Sequence, residues 1–181
     1  RNWDRWVDTR RPHVYVQASD GTTTARDLLA GTKLAAMPGY GGRSGDGGED
    51  MDATWTPDGK AVVFAVSTDR DQSAHAFTSM NLWQVPTAGG EPLRLTAEGD
   101  SWARPRFSAD GKWLAALYER RSGDKVYVAT QLASVPWSNA GGDFRKRVLV
   151  TAGFDRAVSS FVLAPDSKQA WFSAEDMGGE N

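Results

Sequence analysis

The hydrophobic pattern of the chain is a series of short apolar runs separated by polar turns. Three of the runs, at residues 61–66, 113–118 and 169–174, directly follow turns that resemble one another. The turns are centred on Asp58, Asp110 and Asp166. Short runs rich in β-branched and aromatic residues, bounded by Pro, Asp and Gly, are typical of β-strands. Because Asp accepts hydrogen bonds from nearby backbone amides and Gly adopts positive φ, each turn predicts a tight hairpin.

The three hairpins recur about every fifty residues, close to the roughly 40–50-residue period of β-propeller blades. Two further strand-like runs follow each of the first two hairpins. These runs cover residues 81–85 and 92–96, then 125–129 and 147–151. Ahead of the first hairpin, residues 13–17 and 26–29 predict the last two strands of another blade. The expected fold class is therefore all-β: a partial β-propeller of about three four-stranded blades, two complete and two halves, from a larger ring.

The repeat divides the chain into four segments. Residues 1–52 are interpreted as a half-blade and a long loop, 53–96 and 101–151 as complete blades, and 157–181 as a second half-blade. One four-stranded sheet cannot bury both of its faces alone, so each blade must stack on its neighbours. We expect the outermost faces to be covered by the rest of the ring, or by partner copies in a homo-oligomer. The chain begins at Arg1, without an initiator Met or a signal peptide, and is interpreted as a processed product or a fragment.

Composition narrows the classes of function. Twenty-one Lys and Arg residues against 23 Asp and Glu residues give a net charge of −2, which argues against a nucleic-acid-binding surface. The chain has no Cys, which excludes disulfides and thiolate metal sites, and it has no apolar run of membrane-spanning length. We therefore expect no membrane partner and no cofactor.

A glycine-rich segment at residues 39–52 carries four carboxylates: Asp46, Glu49, Asp50 and Asp52. Clustered carboxylates on a pliable loop are one way to bind calcium. Their spacing matches no EF-hand pattern, however, and a solvated connection between blades is the preferred interpretation. The chain has only two His residues, so zinc is not expected either. No metal-binding residue is predicted.

The repeat unit at residues 55–96, which closes with the sequence GGEPLRLT, resembles the repeats of TolB-type, WD40-like propellers. It also resembles the propeller of prolyl-oligopeptidase-family serine peptidases. A more specific likeness lies in the opening segment RNWDRWVD at residues 1–8, followed by HVYV at 13–16. This segment looks like the Arg-His-Trp-Asp-x-Trp motif of bacterial acylaminoacyl-peptidases and dipeptidyl-peptidases of that family, with Asn2 in place of the His.

The resemblance implies a parent protein in which a C-terminal α/β-hydrolase domain holds the catalytic Ser, Asp and His. The propeller would restrict access and help to bind the N-terminal end of a peptide substrate. The resemblance favours a periplasmic location, and the absence of Cys is compatible with either the periplasm or the cytoplasm. We expect no catalytic residue in this chain: a nucleophile elbow needs Gly-x-Ser-x-Gly, and the nearest sequence, at residues 42–46, ends in Asp. The alternative is a TolB-type propeller that acts as a protein-interaction platform.

Alternating strand directions place the ends of the second strands of all blades at one rim of the ring. Charged residues recur there, and the substrate-binding candidates are Asp69, Arg70, Glu119, Arg120 and Arg121. A carboxylate such as Glu119 would bind the free amine of a peptide, and an arginine would bind its carbonyl or carboxylate. The alternative interpretation is that these charges only keep the strand ends solvated.

Most of the eight tryptophans lie within or beside predicted strands and are expected to pack between blades. Trp137 is the exception, because it falls with Pro136 in a predicted insertion at residues 132–145. We expect this side chain either to be exposed to a partner or to pack within its own loop.

Overall fold

The computed structural model describes residues 10–45, 48–120, 128–138 and 141–175. In these ranges the chain forms fifteen strands, one short α-helix and two 3-10 helices. The strands belong to several separate sheets, which confirms the prediction of an all-β, partial β-propeller. None of the helices in these ranges has the length and apolarity needed to cross a bilayer. The opening segment that carries the family resemblance lies largely outside the described residues.

Two small antiparallel hairpins and a helix form the N-terminal part. β1 (Tyr15–Val16) pairs with β2 (Arg26–Asp27), and α1 (Lys33–Ala36) follows. Within the segment interpreted as a long loop, β3 (Arg43–Gly45) pairs with β4 (Gly48–Asp50). Apolar residues of this N-terminal part pack against the first complete blade.

Two complete blades and a final hairpin follow in chain order. The first blade is an antiparallel sheet of β5 (Thr54–Trp55), β6 (Ala61–Val66), β7 (Asn81–Pro86) and β8 (Leu93–Arg94). The second consists of β9 (Asp100–Phe107), β10 (Trp113–Arg120), β11 (Gln131–Ser138), the short β12 (Gly141–Gly142) on the end of β11, and β13 (Val148–Leu149). The final hairpin joins β14 (Val158–Leu163) to β15 (Ala170–Ala174). The 3-10 helices, in the loops after β6 and β12, are Arg70–Gln72 and Phe144–Lys146.

The third strand of the second blade differs from the prediction. The sequence pattern predicts it at residues 125–129, whereas the structure forms it at Gln131–Ser138. Residues 125–127 lie outside the described ranges, and the strand begins after them. Trp137 is therefore part of a strand and not of an insertion, and its ring packs edge-on against Phe107 with 4.9 Å between centroids.

Pro136 explains why the pattern is misleading here, since proline is usually excluded from central strands. It lies opposite Trp113 in a pair that exchanges no hydrogen bonds, because the flanking bond runs from the amide of Trp137 to the carbonyl of Lys112 (2.7 Å). Pro86, the last residue of β7 in the first blade, also lies in a pair that exchanges no hydrogen bonds with the preceding strand. A proline at this point removes no hydrogen bond to the preceding strand, so the strand continues through it.

The three repeated turns share one hydrogen-bond geometry. In each, the amide of the fourth residue donates to the carbonyl of the first over 2.9 Å: Gly59 to Thr56, Gly111 to Ser108, and Ser167 to Ala164. The fourth residues have φ values of 69°, 70° and 61° respectively. Ser167 therefore adopts the left-handed conformation of its glycine counterparts, at a cost of about 1–2 kcal/mol in backbone strain.

Successive blades stack face to face, and the burial of β6 shows this directly, because all of its residues are buried. Its side chains divide between two apolar clusters: Val62, Phe64 and Val66 face the N-terminal part, and Val63 and Ala65 face the second blade. Because side chains alternate across a strand, β6 lies in the middle layer of a stack. A third cluster joins the second blade to the final hairpin, with Leu117 on one side and Phe161 on the other.

Candidate functional site

Two of the predicted rim residues are held by contacts at the edge of the first blade. The carboxylate of Asp69 accepts hydrogen bonds from the hydroxyl of Ser67 (2.5 Å) and the amide of Ser79 (3.1 Å), which closes the loop between β6 and β7. Arg70 forms an ion pair with Glu49 of the β3–β4 hairpin. These contacts give both residues a structural role. Their part in binding a substrate stays a prediction.

The other rim candidates lie at the end of β10 in the second blade. The carboxylate of Glu119 accepts a hydrogen bond from the hydroxyl of Thr130 (2.7 Å), which ties the end of β10 to the start of β11. Arg120 lies opposite Asp100 in the ladder, and its side chain is exposed. Arg121 lies outside the described residues. The structure thus places the candidates on two neighbouring blades, and a shared binding role for them stays a prediction.

A different group of residues converges beside irregular positions in the first strands of the blades. In a propeller, the first strand of each blade lies nearest the axis. In β9, Ala103 lies opposite Leu117 but Arg106 lies opposite Ala115, so the strand contains one extra residue. Arg104 lies in this bulge with a φ of 53°, which is uncommon for a residue other than Gly. Bulges redirect side chains and are frequent beside active sites.

The neighbouring units repeat this irregularity. Asp52 and Arg104 occupy equivalent positions, since each lies the same number of residues ahead of its turn aspartate. Asp52 also has a positive φ, of 49°. In β14, the register shifts between Val158 and Ser160, close to the same level of the strand. Irregular backbone therefore recurs at this level, as a positive φ at Asp52 and as register shifts in β9 and β14.

A cleft of about 230 Å³ lies beside these positions and is lined by residues of the β3–β4 hairpin, the segment ahead of β5, β9 and the final hairpin. Its lining residues are Arg43, Asp50, Asp52, Arg104, Arg106 and Phe161. The Nε and Nη2 atoms of Arg43 donate to both carboxylate oxygens of Asp52 (3.2 and 3.0 Å), and Nη2 also pairs with Asp50 (3.2 Å). Hydrogen bonding to the buried Asp52 raises the pKa of the Arg43 guanidinium above its ordinary value. The charge of Arg43 is thus compensated within the protein.

Among the described residues, the other two arginines of the cleft donate only to backbone carbonyls. Nη1 of Arg104 donates to Ser159 on the final hairpin (2.8 Å). Nη1 of Arg106 donates to Pro105 (2.7 Å) and, more weakly, to Asp52 (3.5 Å). Neither forms an ion pair with a carboxylate in the part of the chain that the structure describes. With three arginines and two aspartates, the cleft carries an excess of positive charge.

Arg104 and Arg106 were not among the residues that the sequence pattern identified. The sequence does distinguish these two residues. When the repeats are aligned on their turns, Arg104 aligns with Asp52 and Arg106 aligns with Thr54. Two basic residues therefore replace an acidic and a neutral one on the first strand of the second blade. Hydrophobic periodicity alone does not mark a bulge, so it does not show that these side chains share a cleft.

The acidic residues at 39–52 are engaged by arginines. The pairs are Glu49 with Arg70, and Asp50 and Asp52 with Arg43. Asp46 lies outside the described residues. In the ranges that are described, no group of three or more His, Cys, Asp or Glu side chains is placed to hold a metal ion. The pairs of Glu49 with Arg70 and of Arg43 with Asp52 link the β3–β4 hairpin to the first blade, and the pair of Arg43 with Asp50 lies within the hairpin.

A His–Asp pair near the N-terminus stabilises a turn. Nδ1 of His13 lies 2.7 Å from Oδ2 of Asp27, across the β1–β2 hairpin. The other oxygen of Asp27 accepts hydrogen bonds from the amides of Leu29 (2.8 Å) and Ala30 (3.1 Å). Within the described residues, no hydrogen bond links this pair to a serine, so it is not the base of a nucleophilic triad there.

Comparison with known proteins adds no family assignment. A scan against protein-family models found no match, and neither did a search of curated proteins. Function therefore has to be inferred from the residues and geometry of the chain itself.

Proposed function

We propose that this chain is the non-catalytic β-propeller part of a bacterial serine exopeptidase similar to acylaminoacyl- or dipeptidyl-peptidases. The propeller restricts access to a separate α/β-hydrolase domain and helps to bind the N-terminal end of a peptide. The resemblance of the repeat and of the opening segment supports this, together with one structural observation: β6 is buried on both faces by neighbouring layers. The same resemblance leads us to propose a periplasmic location.

Radial stacking of sheets suits a gating role. Sheets that stack face to face around an axis leave a central channel lined by their first strands, and the channel width limits what passes. The loops between strands form the rims of such a ring. In this proposal the rim candidates meet a peptide end at these loops and offer both an amine-binding carboxylate and carboxylate-binding guanidinium groups. These candidates are Asp69, Arg70, Glu119, Arg120 and Arg121.

Activity measurements on the chain alone test the non-catalytic role. We expect no hydrolysis of aminoacyl or dipeptidyl chromogenic substrates and no labelling by a fluorophosphonate, since the chain lacks a Gly-x-Ser-x-Gly elbow. An active serine peptidase of the same family, treated in parallel, is the positive control. Labelling at any serine of this chain would overturn the proposal.

The second candidate is a TolB-type propeller that acts as an interaction platform. Its specific support is the apolar face of the final hairpin, where Val162 and Trp171 are 61% and 64% exposed and lie opposite each other. The reading frame downstream of Asn181 separates the two candidates. A Gly-x-Ser-x-Gly elbow followed by Asp and His identifies the peptidase, whereas termination after a few more blades identifies the platform.

A further inference from the structure

We propose that Arg104 and Arg106 form a binding site for a carboxylate at the innermost strands of the propeller. The ligand is defined by its chemistry, and two sources would supply it: a peptide or a small organic acid. Neither arginine is among the rim candidates to which the proposed function assigns binding of the peptide's N-terminal end. The proposal therefore goes beyond the proposed function and holds whether or not a hydrolase domain accompanies this chain.

The backbone of Arg104 is held in a conformation that its own side chain disfavours. A φ of 53° brings Cβ close to the following carbonyl, which destabilises every residue that has a Cβ. Asp and Asn tolerate this region best, and the equivalent residue of the first blade is Asp52. Arginine is not stabilised in this backbone conformation as Asp and Asn are. Strained residues of this kind cluster at binding sites, where the strain positions a side chain for its ligand.

Most of the hydrogen-bond donors of the two arginines remain available. A guanidinium has five N–H donors, and the contacts with the residues that the structure describes use only Nη1 of Arg104 and Nη1 of Arg106. Nε and Nη2 of each form the planar edge that binds a carboxylate through two parallel hydrogen bonds. The neighbouring Arg43 is already occupied by Asp50 and Asp52, so it does not compete for the ligand.

The rest of the cleft fits an organic acid. Its volume of about 230 Å³ suits a small group, and the ring of Phe161 provides apolar surface for the carbon chain next to a carboxylate. The carboxylates of Asp50 and Asp52, bound to Arg43, confine the excess positive charge to the side of the cleft formed by β9. A negatively charged ligand is thus attracted to Arg104 and Arg106, more strongly at low ionic strength.

The test uses the full 181-residue chain and three probes: acetyl-trialanine with a free carboxylate, its C-terminal amide, and acetate. Each is titrated at low salt while the arginine Nε–H signals are followed by ¹H–¹⁵N NMR. We expect the acid, and not the amide, to shift the signals of Arg104 and Arg106. Tighter binding of the peptide acid than of acetate assigns the site to peptides, and equal affinity assigns it to small acids. Absence of a carboxylate-dependent shift would overturn the proposal.

Variants separate the binding role from a structural one. Arg104→Gly removes the guanidinium and also relieves the positive φ, so it should weaken binding of the peptide acid at least about tenfold while the melting temperature stays unchanged or rises. Arg106→Gln should weaken binding similarly. Arg145→Gln is the matched control, because Arg145 is exposed and pairs with Asp143 outside the cleft, and its affinity should stay within about twofold. Unchanged affinity in either folded cleft variant contradicts the site.

Discussion

At the residue scale, each repeated turn contacts the turn of the next unit through one residue on each side. A Cβ placed on Gly111, which has a φ of 70°, would lie 2.8 Å from Cβ of Pro57 on the preceding turn. The amide of Asp110 donates to the Oγ of Ser167 on the following turn (3.0 Å). The second turn therefore contacts both of its neighbours. Glycine is required at position 111 by this close approach as well as by the backbone conformation.

Two alanine substitutions separate these two requirements. Gly59 has nearly the same φ, 69°, but a Cβ there meets nothing within 4 Å. Gly59→Ala should therefore lower the free energy of unfolding only through backbone strain, by about 1–2 kcal/mol. Gly111→Ala has the same strain and the clash with Pro57, and should cost about 1–3 kcal/mol more. Urea unfolding of both variants measures the difference, and equal costs would contradict contact between successive turns.

The turn aspartates link stability to pH. The hydroxyl of Ser108 (2.7 Å) and the amide of Lys112 (3.1 Å) donate to Asp110, and these bonds, the first most strongly, lower its pKa. Thr56 lowers the pKa of Asp58 in the same way. Because the pKa values are lower in the folded state, both carboxylates stabilise the fold above the unfolded-state value of about 3.9. This contribution is lost as the pH falls through the folded-state values.

Replacing both turn aspartates by asparagine should therefore flatten the acid side of the stability curve. Asparagine still accepts hydrogen bonds at the turn but has no proton to bind in this range. Between about pH 6 and about pH 3, the melting temperature of Asp58→Asn/Asp110→Asn should fall less than that of the parent. Calorimetry across this range provides the measurement. Parallel curves would show that the turn carboxylates are not the groups that titrate on unfolding.

At the scale of elements, the sequence predicts the features that are formed by residues close together in the chain. The hairpins and their turns follow from residues that lie next to each other, and Ser167 adopts the left-handed conformation of its glycine counterparts. The bulge at Arg104 and the positive φ of Asp52 were not predicted, because neither changes the apolar pattern of the chain. The predicted position of β11 was wrong for a similar reason. Whether a strand tolerates Pro136 depends on its pairing with β10, which no local pattern shows.

The repeat also identifies a strand position that faces the next blade. Val63 and Ala115 lie the same number of residues after their turn aspartates. Both side chains are buried against the following sheet, with exposures of 0% and 2%. Trp171 occupies the equivalent position of the final hairpin and is 64% exposed, opposite Val162. An exposed apolar pair on an open sheet face favours association with another sheet.

Substitution of this position tests the equivalence. Trp171→Ser should change the free energy of unfolding by less than about 0.5 kcal/mol, as expected for an exposed site, and should reduce concentration-dependent association in sedimentation velocity. Val63→Ser, at the buried equivalent, should cost about 2 kcal/mol or more, because a hydroxyl is buried in place of an aliphatic group. Similar losses of stability in the two variants would show that the positions are not equivalent.

At the scale of the whole molecule, three apolar clusters join four stacked units. Each complete blade contributes to two of the clusters, so stability is transmitted from neighbour to neighbour as in other repeat proteins. The proposed gating role and the proposed carboxylate site both depend on this stacking. The cleft at Arg104 takes its lining from several stacked units, so it depends on their packing.

Contact between the successive turns is therefore the central claim, and NOE spectroscopy of the chain in solution tests it without any substitution. We predict cross-peaks between the side chain of Pro57 and the α-protons of Gly111, and between the β-protons of Ser167 and the amide of Asp110. Absence of both cross-peaks, together with inter-strand α-proton contacts between β6 and β10, would place the hairpins in one continuous sheet and contradict the stack of blades.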